Sequence, residues 1–305
     1  MRIVQGLESC PPDAPASVVA LGVFDGVHRA HRAILDAAVA RAREGGLVAL
    51  ACTFDPHPAE VLAPGRVPAP ITTLGERLEL IAEAGLDATV VLAFSHDLAA
   101  LEPEAFVEEV LLHRLRARVV VVGFNHRFGR GARGDAGLLE SLAGRLGFAA
   151  HVVSPLVVHG VPVSSTAVRT ALQAGDVEAA THLLGRPYVV AGPVVQGAAR
   201  GRILGFPTAN VHPERPVLVP AGVYACQADV DDDKRRAVVN VGVRPTFGET
   251  IVTVEAHLLD FTADLYGRRV ALHFQHRLRD EMRFASVEAL RAQIARDIET
   301  ARAHG

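Results

Sequence analysis

The first half of the chain alternates short apolar runs with stretches in which apolar residues recur every three or four positions. Runs at 17–22, 47–54, 88–92, 119–123 and 148–153 predict strands, and helix-period segments near 30–44, 75–84, 103–115 and 135–146 lie between them. Val119-Val120-Val121-Val122 is apolar on both faces, as a strand inside a parallel sheet requires. This alternation predicts a doubly wound parallel α/β sheet. A further helical stretch, 165–184, opens on Ser164-Ser165-Thr166, whose hydroxyls suit a helix start, and ends at Leu184-Gly185-Arg186-Pro187. From Tyr188 the period changes. Short β-rich stretches at 188–196, 222–230, 236–241, 251–259 and 269–276 are separated by Gly, Pro and Asp clusters, which predicts an antiparallel β-barrel. A final helix over about 286–303 carries Val287, Leu290, Ile294 and Ile298 along one side. Two domains are expected, 1–185 and 186–305.

Composition narrows the chemistry. Half of the 305 residues are hydrophobic, enough for two buried cores, and the net charge of −3 gives no general attraction for nucleic acid or an anionic membrane. The chain shows no signal-peptide pattern and no apolar run of about 18 residues or more. Cys10, Cys52 and Cys226 have neither metal spacing nor an even count. A cytoplasmic protein is expected, working on small molecules as a monomer or weak homo-oligomer. Lys234 is the only lysine, in the turn-like run Asp231-Asp232-Asp233-Lys234-Arg235. A Walker P-loop, a protein-kinase strand lysine and a pyridoxal Schiff base are thereby excluded. Any phosphate must be met by arginine, histidine, backbone amides and a metal.

One candidate site follows the first predicted strand, at Gly22-Val23-Phe24-Asp25-Gly26-Val27-His28-Arg29-Ala30-His31. His28 and His31 are three apart on an opening helical turn, where free amides and the helix dipole already favour an anion. Surface histidines or half of a zinc site are the alternatives, and the place after the first strand of an α/β sheet favours phosphate. Three more segments fall where strands or the sheet itself should end: Thr53-Phe54-Asp55-Pro56-His57-Pro58, Gly123-Phe124-Asn125-His126-Arg127-Phe128-Gly129, and Ser164-Ser165-Thr166-Ala167-Val168-Arg169. The last is either a phosphate clamp, with Arg169 offering a bidentate fork, or a helix cap followed by an exposed arginine. Gly129-Arg130-Gly131-Ala132-Arg133-Gly134 spells a dinucleotide fingerprint, but it follows the fourth strand and residues 141–175 hold no Asp or Glu, so NAD binding is rejected.

A second candidate site lies in the β-rich half. Gly201-Arg202-Ile203-Leu204-Gly205-Phe206-Pro207-Thr208-Ala209-Asn210 is either a glycine-rich hairpin or a phosphate loop, with Thr208 and Asn210 as oxygen ligands for ATP-bound magnesium. Glu255 shares a strand face with Thr253 and His257, either as a salt-bridge partner or as a base for a hydroxyl. With an ordinary pKa of about 4.3, it would accept the proton late in a phosphoryl transfer whose loose transition state depends on positioning.

The first group of segments resembles the N-terminal FMN adenylyltransferase module of prokaryotic bifunctional riboflavin kinase/FAD synthetases, whose pattern is roughly GxFDGxHxGH, TFDPHP, GxxxxFG and SSTxxR. Ala30 departs from a glycine and His126 from an aromatic residue. The second group resembles that family's riboflavin kinase module: GRxLGFPTAN, then Gly222-Val223-Tyr224-Ala225, Asn240-Val241-Gly242-Val243-Arg244-Pro245-Thr246-Phe247, Val254-Glu255-Ala256-His257-Leu258-Leu259-Asp260-Phe261 and Leu278-Arg279-Asp280-Glu281-Met282-Arg283-Phe284. The resemblance implies a nucleotidyltransferase-like head followed by a kinase barrel with a C-terminal helix. It implies two reactions: riboflavin and ATP giving FMN, then FMN and a second ATP giving FAD and pyrophosphate. On it, His28 and His31 stabilise ATP phosphates, and Glu255 is the kinase base. Gly22, Phe24, Asp25, Gly26, His57, Asn125, Arg127, Ser164, Ser165, Thr166 and Arg169 line the head site. Gly201, Arg202, Gly205, Phe206, Pro207, Thr208 and Asn210 hold Mg²⁺-ATP, and Arg279 and Phe284 face the flavin. A kinase with an inactive head, or a non-catalytic flavin-binding scaffold, are the competing expectations.

Overall fold

The computed structural model describes the chain apart from residues 12, 198–200, 202–203, 232, 246–249 and 304–305. Arg202 and Thr246-Phe247, named above, lie outside the described residues. The chain divides into two compact units, Met1–Ser165 and Thr166–Gly305.

In the first unit, strands β1 (Arg2–Gln5), β2 (Ser17–Leu21), β3 (Val48–Asp55), β4 (Ala88–Ala93), β5 (Ala117–Gly123) and β6 (Ala149–Val153) form one parallel sheet in the order β1-β4-β3-β2-β5-β6. Helices α1 (Arg29–Gly45), α2 (Pro58–Leu62), α3 (Leu74–Ala82), α4 (His96–Ala100), α5 (Pro103–Ala105) and α6 (Ala136–Leu146) join them, and α5 runs on as a π-helical stretch, Phe106–Arg114. Alternate residues of β2 enter opposite layers: Val18 and Ala20 pack with Leu35, Ala38 and Ile81, and Val19 and Leu21 with Phe106, Leu111 and Leu142. Both faces are therefore covered, as a parallel sheet requires. From β2 the order runs outward through β3 and β4, and on its other side through β5 and β6. Connections diverge between β2 and β5, and the crevice beyond their C-terminal ends is where such sheets bind ligands. The edge strand β1 was not expected. It is four residues long with only Val4 buried, so it carries no readable period.

A short hairpin, β7 (Val157–Val158) with β8 (Val161–Pro162), precedes the predicted helix at 165–184. That helix is in fact two, α7 (Ser165–Gln173) and α8 (Val177–Leu184). Gly175 adopts φ 78°, and the Arg277 side chain fills the space a Cβ would need, with Nη1 2.8 Å from it. Asp176 then caps α8 by accepting from the Ala179 amide at 2.8 Å. The break is thus set by a barrel residue as well as by the glycine.

The second unit is a closed antiparallel barrel, β9 (Tyr188–Val195), β10 (Ala209–Val211), β11 (Gly222–Val230), β12 (Asp233–Pro245), β13 (Thr250–Leu258) and β14 (Arg269–Arg279), in the order β10-β13-β12-β11-β14-β9. Closure leaves no free strand edge. Tyr188, Phe274 and Tyr224 pack through the interior in tilted and edge-on contacts, with centroids 5.8 and 5.1 Å apart. The three-residue β10 escaped the sequence pattern, but it closes the ring between β9 and β13. Helix α9 (Val287–Ala303) packs on β11, β12 and β14.

Candidate active sites

The loop from Gly22 to His28 is shaped by close packing. Phe24 is fully buried at φ 55°, and its ring lies 3.0 Å from where a Cβ on Gly22 would stand. Gly26, at φ 81°, leaves the same kind of room for Ile71. The buried Asp25 carboxylate accepts from the amides of Ile71 and Thr72 at 3.0 and 3.1 Å, and the Thr72 hydroxyl receives the Gly26 amide at 3.1 Å. Asp25, expected at the nucleotide, thus ties the loop after β2 to the segment that starts α3.

This loop delivers His28 as the N-cap of α1. Its Nδ1 accepts the His31 amide at 3.2 Å, which leaves Nε2 as the protonated nitrogen of the neutral ring. The two imidazoles stack with centroids 3.6 Å apart, and Phe24 meets His31 edge-on at 5.3 Å. Burial, His28 and the charge of Arg77 together hold His31 well below the ordinary imidazole range, so it is neutral near pH 7. Among the described residues no group of three or more His, Cys, Asp or Glu side chains is placed to hold a metal ion, which leaves the zinc alternative without a third ligand there.

The other head segments also sit where strands end. His57 caps α2, its Nδ1 accepting from the Ala59 amide at 3.1 Å while Glu60 accepts from the His57 amide. Asn125 and Arg127 are exposed beyond β5, and Arg127 pairs with Asp135 at 3.3 Å. His126 stacks on Phe128 at 5.9 Å, and burial pushes its pKa down to about 4. It is therefore a neutral ring where the family pattern has an aromatic. Ser164 is half-buried, and the Ser165 hydroxyl donates to the Asp25 carbonyl at 3.0 Å. Thr166 and Arg169 stand on α7, which belongs to the second unit from Thr166 onward. The glycines of the rejected fingerprint serve packing. A Cβ on Gly129 would meet the Pro103 backbone at 2.7 Å, and one on Gly134 the Phe128 ring at 2.8 Å.

In the barrel, Gly201, Phe206, Thr208, Glu255, Arg279 and Phe284 line one cavity of about 620 Å³. Its polar side is set by strand register. Glu255 on β13 lies opposite Asn210 on β10 and Asn240 on β12. Thr253, Glu255 and His257 are half-buried and alternate with the buried Val254, Ala256 and Leu258, the shared face expected for them. A Cβ on Gly201 would fall 2.4 Å from the Phe206 carbonyl and 3.0 Å from the Thr208 hydroxyl, so this glycine makes room for its own chain. Gly205 turns at φ 86°, and the Pro207 carbonyl lies 2.8 Å from His257 Nδ1. Gly197 gives space to the Asn210 amide, 2.2 Å from a Cβ built there. The apolar side comes from Val223, Val238, Leu290 and Ile294. Thr208 also borders a second cavity of about 380 Å³, lined by Phe261 and Tyr266 among others.

Two residues of these sites were not singled out from sequence. Asp297 on α9, 5 % exposed, receives the Arg279 guanidinium through Nε and Nη2 at 3.1 and 2.8 Å. The same guanidinium lies 5.8 Å over the Phe284 ring. Arg77 on α3 is buried, and its charge acts on His31. Both are charges on the apolar side of a helix, next to Ile294 and Ile298 or next to Leu78 and Ile81, and that misplacement is the signal that could have found them.

The chain is similar to known proteins over nearly its whole length. A family model described as FAD synthetase matches residues 10–167, and one described as riboflavin kinase matches 184–304. The Bifunctional riboflavin kinase/FMN adenylyltransferase of Escherichia coli (strain K12) is 39% identical over 99% of this chain and 97% of its own. The chain belongs to the bifunctional riboflavin kinase/FMN adenylyltransferase family. The relative of that name from Bacillus subtilis (strain 168) is 37% identical, over 92% of this chain and 90% of its own. A crystal structure described as a macrolide-efflux protein from Streptococcus pneumoniae is 30% identical over 99% of both chains, with a TM-score of 0.92. Among the described residues here, no helix is long and apolar enough to cross a membrane. Membership of the riboflavin kinase/FMN adenylyltransferase family accounts for the two domains and for their order along the chain.

Proposed function

We infer that this chain phosphorylates riboflavin to FMN with one ATP and adenylylates FMN to FAD with a second, releasing pyrophosphate. The observation that carries the reading is the presence of two separate polar constellations in one chain, an imidazole pair at the end of β2 and a cavity around Thr208 and Glu255 in the barrel.

In the barrel, the flavin ring is assigned to the apolar wall, with Phe284 and the Asp297-held Arg279 beside it. A cavity of this size suits a ligand of that class. Glu255 orients the ribityl 5′-hydroxyl and takes its proton as the P–O bond forms. ATP is assigned to the smaller cavity on the other side of Thr208, which puts donor and acceptor on opposite flanks of one residue. The hydroxyl of Thr208 and the amide oxygen of Asn210 are hard donors that fit a magnesium ion, and this ion would neutralise phosphate charge there. Gly201, Arg202, Gly205, Phe206 and Pro207 belong to the same ATP loop in this assignment. In the head, the FMN phosphate attacks the α-phosphorus of ATP. Nε2–H of His28 and the neutral His31 meet the phosphate charge that develops, with α1's free amides behind them. Gly22, Phe24, Asp25 and Gly26 shape that site, and His57, Asn125, Arg127, Ser164, Ser165, Thr166 and Arg169 are assigned to the two substrates.

The three cysteines are free thiols, which suits a reducing cytoplasm, and the net charge of −3 suits a partner set of small molecules without nucleic acid. The protein acts as a monomer or weak homo-oligomer in this reading. Incubation with riboflavin and magnesium-ATP, followed by chromatographic identification, is expected to give FMN and then FAD. FMN without FAD, including when FMN is supplied, would leave only the kinase half of the reading standing.

A further inference from the structure

The Arg77 guanidinium is buried at the C-terminal ends of β2 and β3, 6% exposed. Its Nη1 donates to the Val23 carbonyl at 2.8 Å, the Phe54 carbonyl at 3.1 Å and the Thr53 hydroxyl at 3.4 Å. Thr53 itself donates to the Val23 carbonyl at 2.9 Å, so Arg77 completes a tie between the loop that leads to His28 and the end of the neighbouring strand. Its ion pair with Asp55 is long, 4.0 Å from Nη2, and the Asp55 side chain stands half in solvent. Asp25 from the β2–α1 loop, Asp55 from β3 and Glu60 from α2 are the acids that face it. An arginine keeps its proton in such a place. Its Nε has no hydrogen-bond partner, and neither has Nδ1 of His31, although both atoms are buried. Orphaned buried polar atoms are uncommon, and two on residues that act electrostatically on each other, near the C-terminal ends of the central strands, point to function.

The groups that face His31 are His28 and Arg77. Burial of the ring already disfavours a proton on His31, and the His28 imidazole stacked at 3.6 Å and the charge of Arg77 oppose it further. We propose that Arg77 is a positioning residue for adenylyl transfer, which ties the loop after β2 to the end of β3 and sets a permanent positive charge beside the His28–His31 pair, so that the imidazoles meet the nucleotide phosphates as neutral hydrogen-bond donors. The proposal rests on the adenylyltransferase reading of the head.

Arg77→Met and Arg77→Lys test it, with FAD formation from FMN and magnesium-ATP measured across pH and riboflavin phosphorylation as the control. Arg77→Met is expected to lower kcat for FAD formation by about 10–100-fold, the usual scale for a misplaced catalytic group, with KM for ATP little changed. Without the cation His31 protonates more easily, so the acid limb of the kcat profile should move to higher pH, while burial of the ring still keeps it below the ordinary imidazole range. Arg77→Lys keeps the charge but loses the planar fork: kcat falls and the limb stays in place. An unmoved limb in Arg77→Met, or the same shift in both variants, overturns the proposal. If Arg77→Met fails to fold, Arg77→Lys decides alone, and a shifted limb or an unchanged kcat overturns it. Failure of the unsubstituted protein to make FAD, with riboflavin phosphorylation intact, would instead refute the adenylyltransferase reading.

Discussion

Replacing His126 with phenylalanine removes a titrating group from the head while keeping a ring on Phe128. Nε2 of His126 is buried without a hydrogen-bond partner, and burial lowers its pKa to about 4, against about 6.5 in an unfolded chain. Above about pH 6.5 both states are neutral, and the group adds no pH dependence. Between about 6.5 and about 4 only the unfolded chain takes up the proton, so stability falls as pH falls, by at most about 1.4 kcal/mol per unit. Integrated from pH 7 to pH 5, the loss is about 2 kcal/mol. Phenylalanine abolishes it and also removes an unpaired polar atom whose burial costs about 1–3 kcal/mol. The chain has no tryptophan, and Tyr188, Tyr224 and Tyr266 all lie in the barrel unit. Tyrosine emission therefore follows the barrel, and far-UV ellipticity reports the head as well. In urea titrations at pH 7 and pH 5, the head transition of the unsubstituted protein should weaken by about 2 kcal/mol more than that of His126→Phe, with the tyrosine transition equal in both. Equal losses of head stability would refute the assignment of a buried neutral imidazole.

His28→Ala is expected to cut FAD formation by about 10²–10³ in kcat and to leave FMN formation intact, as measured by product chromatography from each supplied substrate. Glu255→Ala should give the mirror result, with FMN formation lost and FAD synthesis from supplied FMN retained. Loss of both activities in both variants would contradict separate sites. Asp25→Asn is expected to destabilise the head by about 2 kcal/mol in urea, because its carboxylate holds two buried amides. Unchanged stability with a raised KM for ATP would place Asp25 on the nucleotide instead.

Much of this protein was legible before any coordinates. A four-valine run reads as a strand buried on both faces because only a parallel sheet flanked by helices hides both, and β5 lies within the sheet with helical layers on either side. The candidate chemistry is local in the same way: histidines three apart after a strand, and a threonine and an asparagine two apart after a glycine turn, are signals carried by neighbours in sequence. What escaped depends on partners far along the chain. The edge strand β1 and the three-residue β10 are too short to show a period and exist through pairing with β4 and with β9 and β13. The break between α7 and α8 needs Arg277 from β14 as well as Gly175. The same holds at the sites. The buried amides that Asp25 holds stand 46 and 47 residues away, out of reach of any local motif. Arg77 and Asp297 are buried, at 6% and 5% exposure, which no short motif around them signals. Periodicity and short motifs record interactions within a few residues, whereas burial and charge compensation are set by residues that only closure of the sheet and barrel brings together.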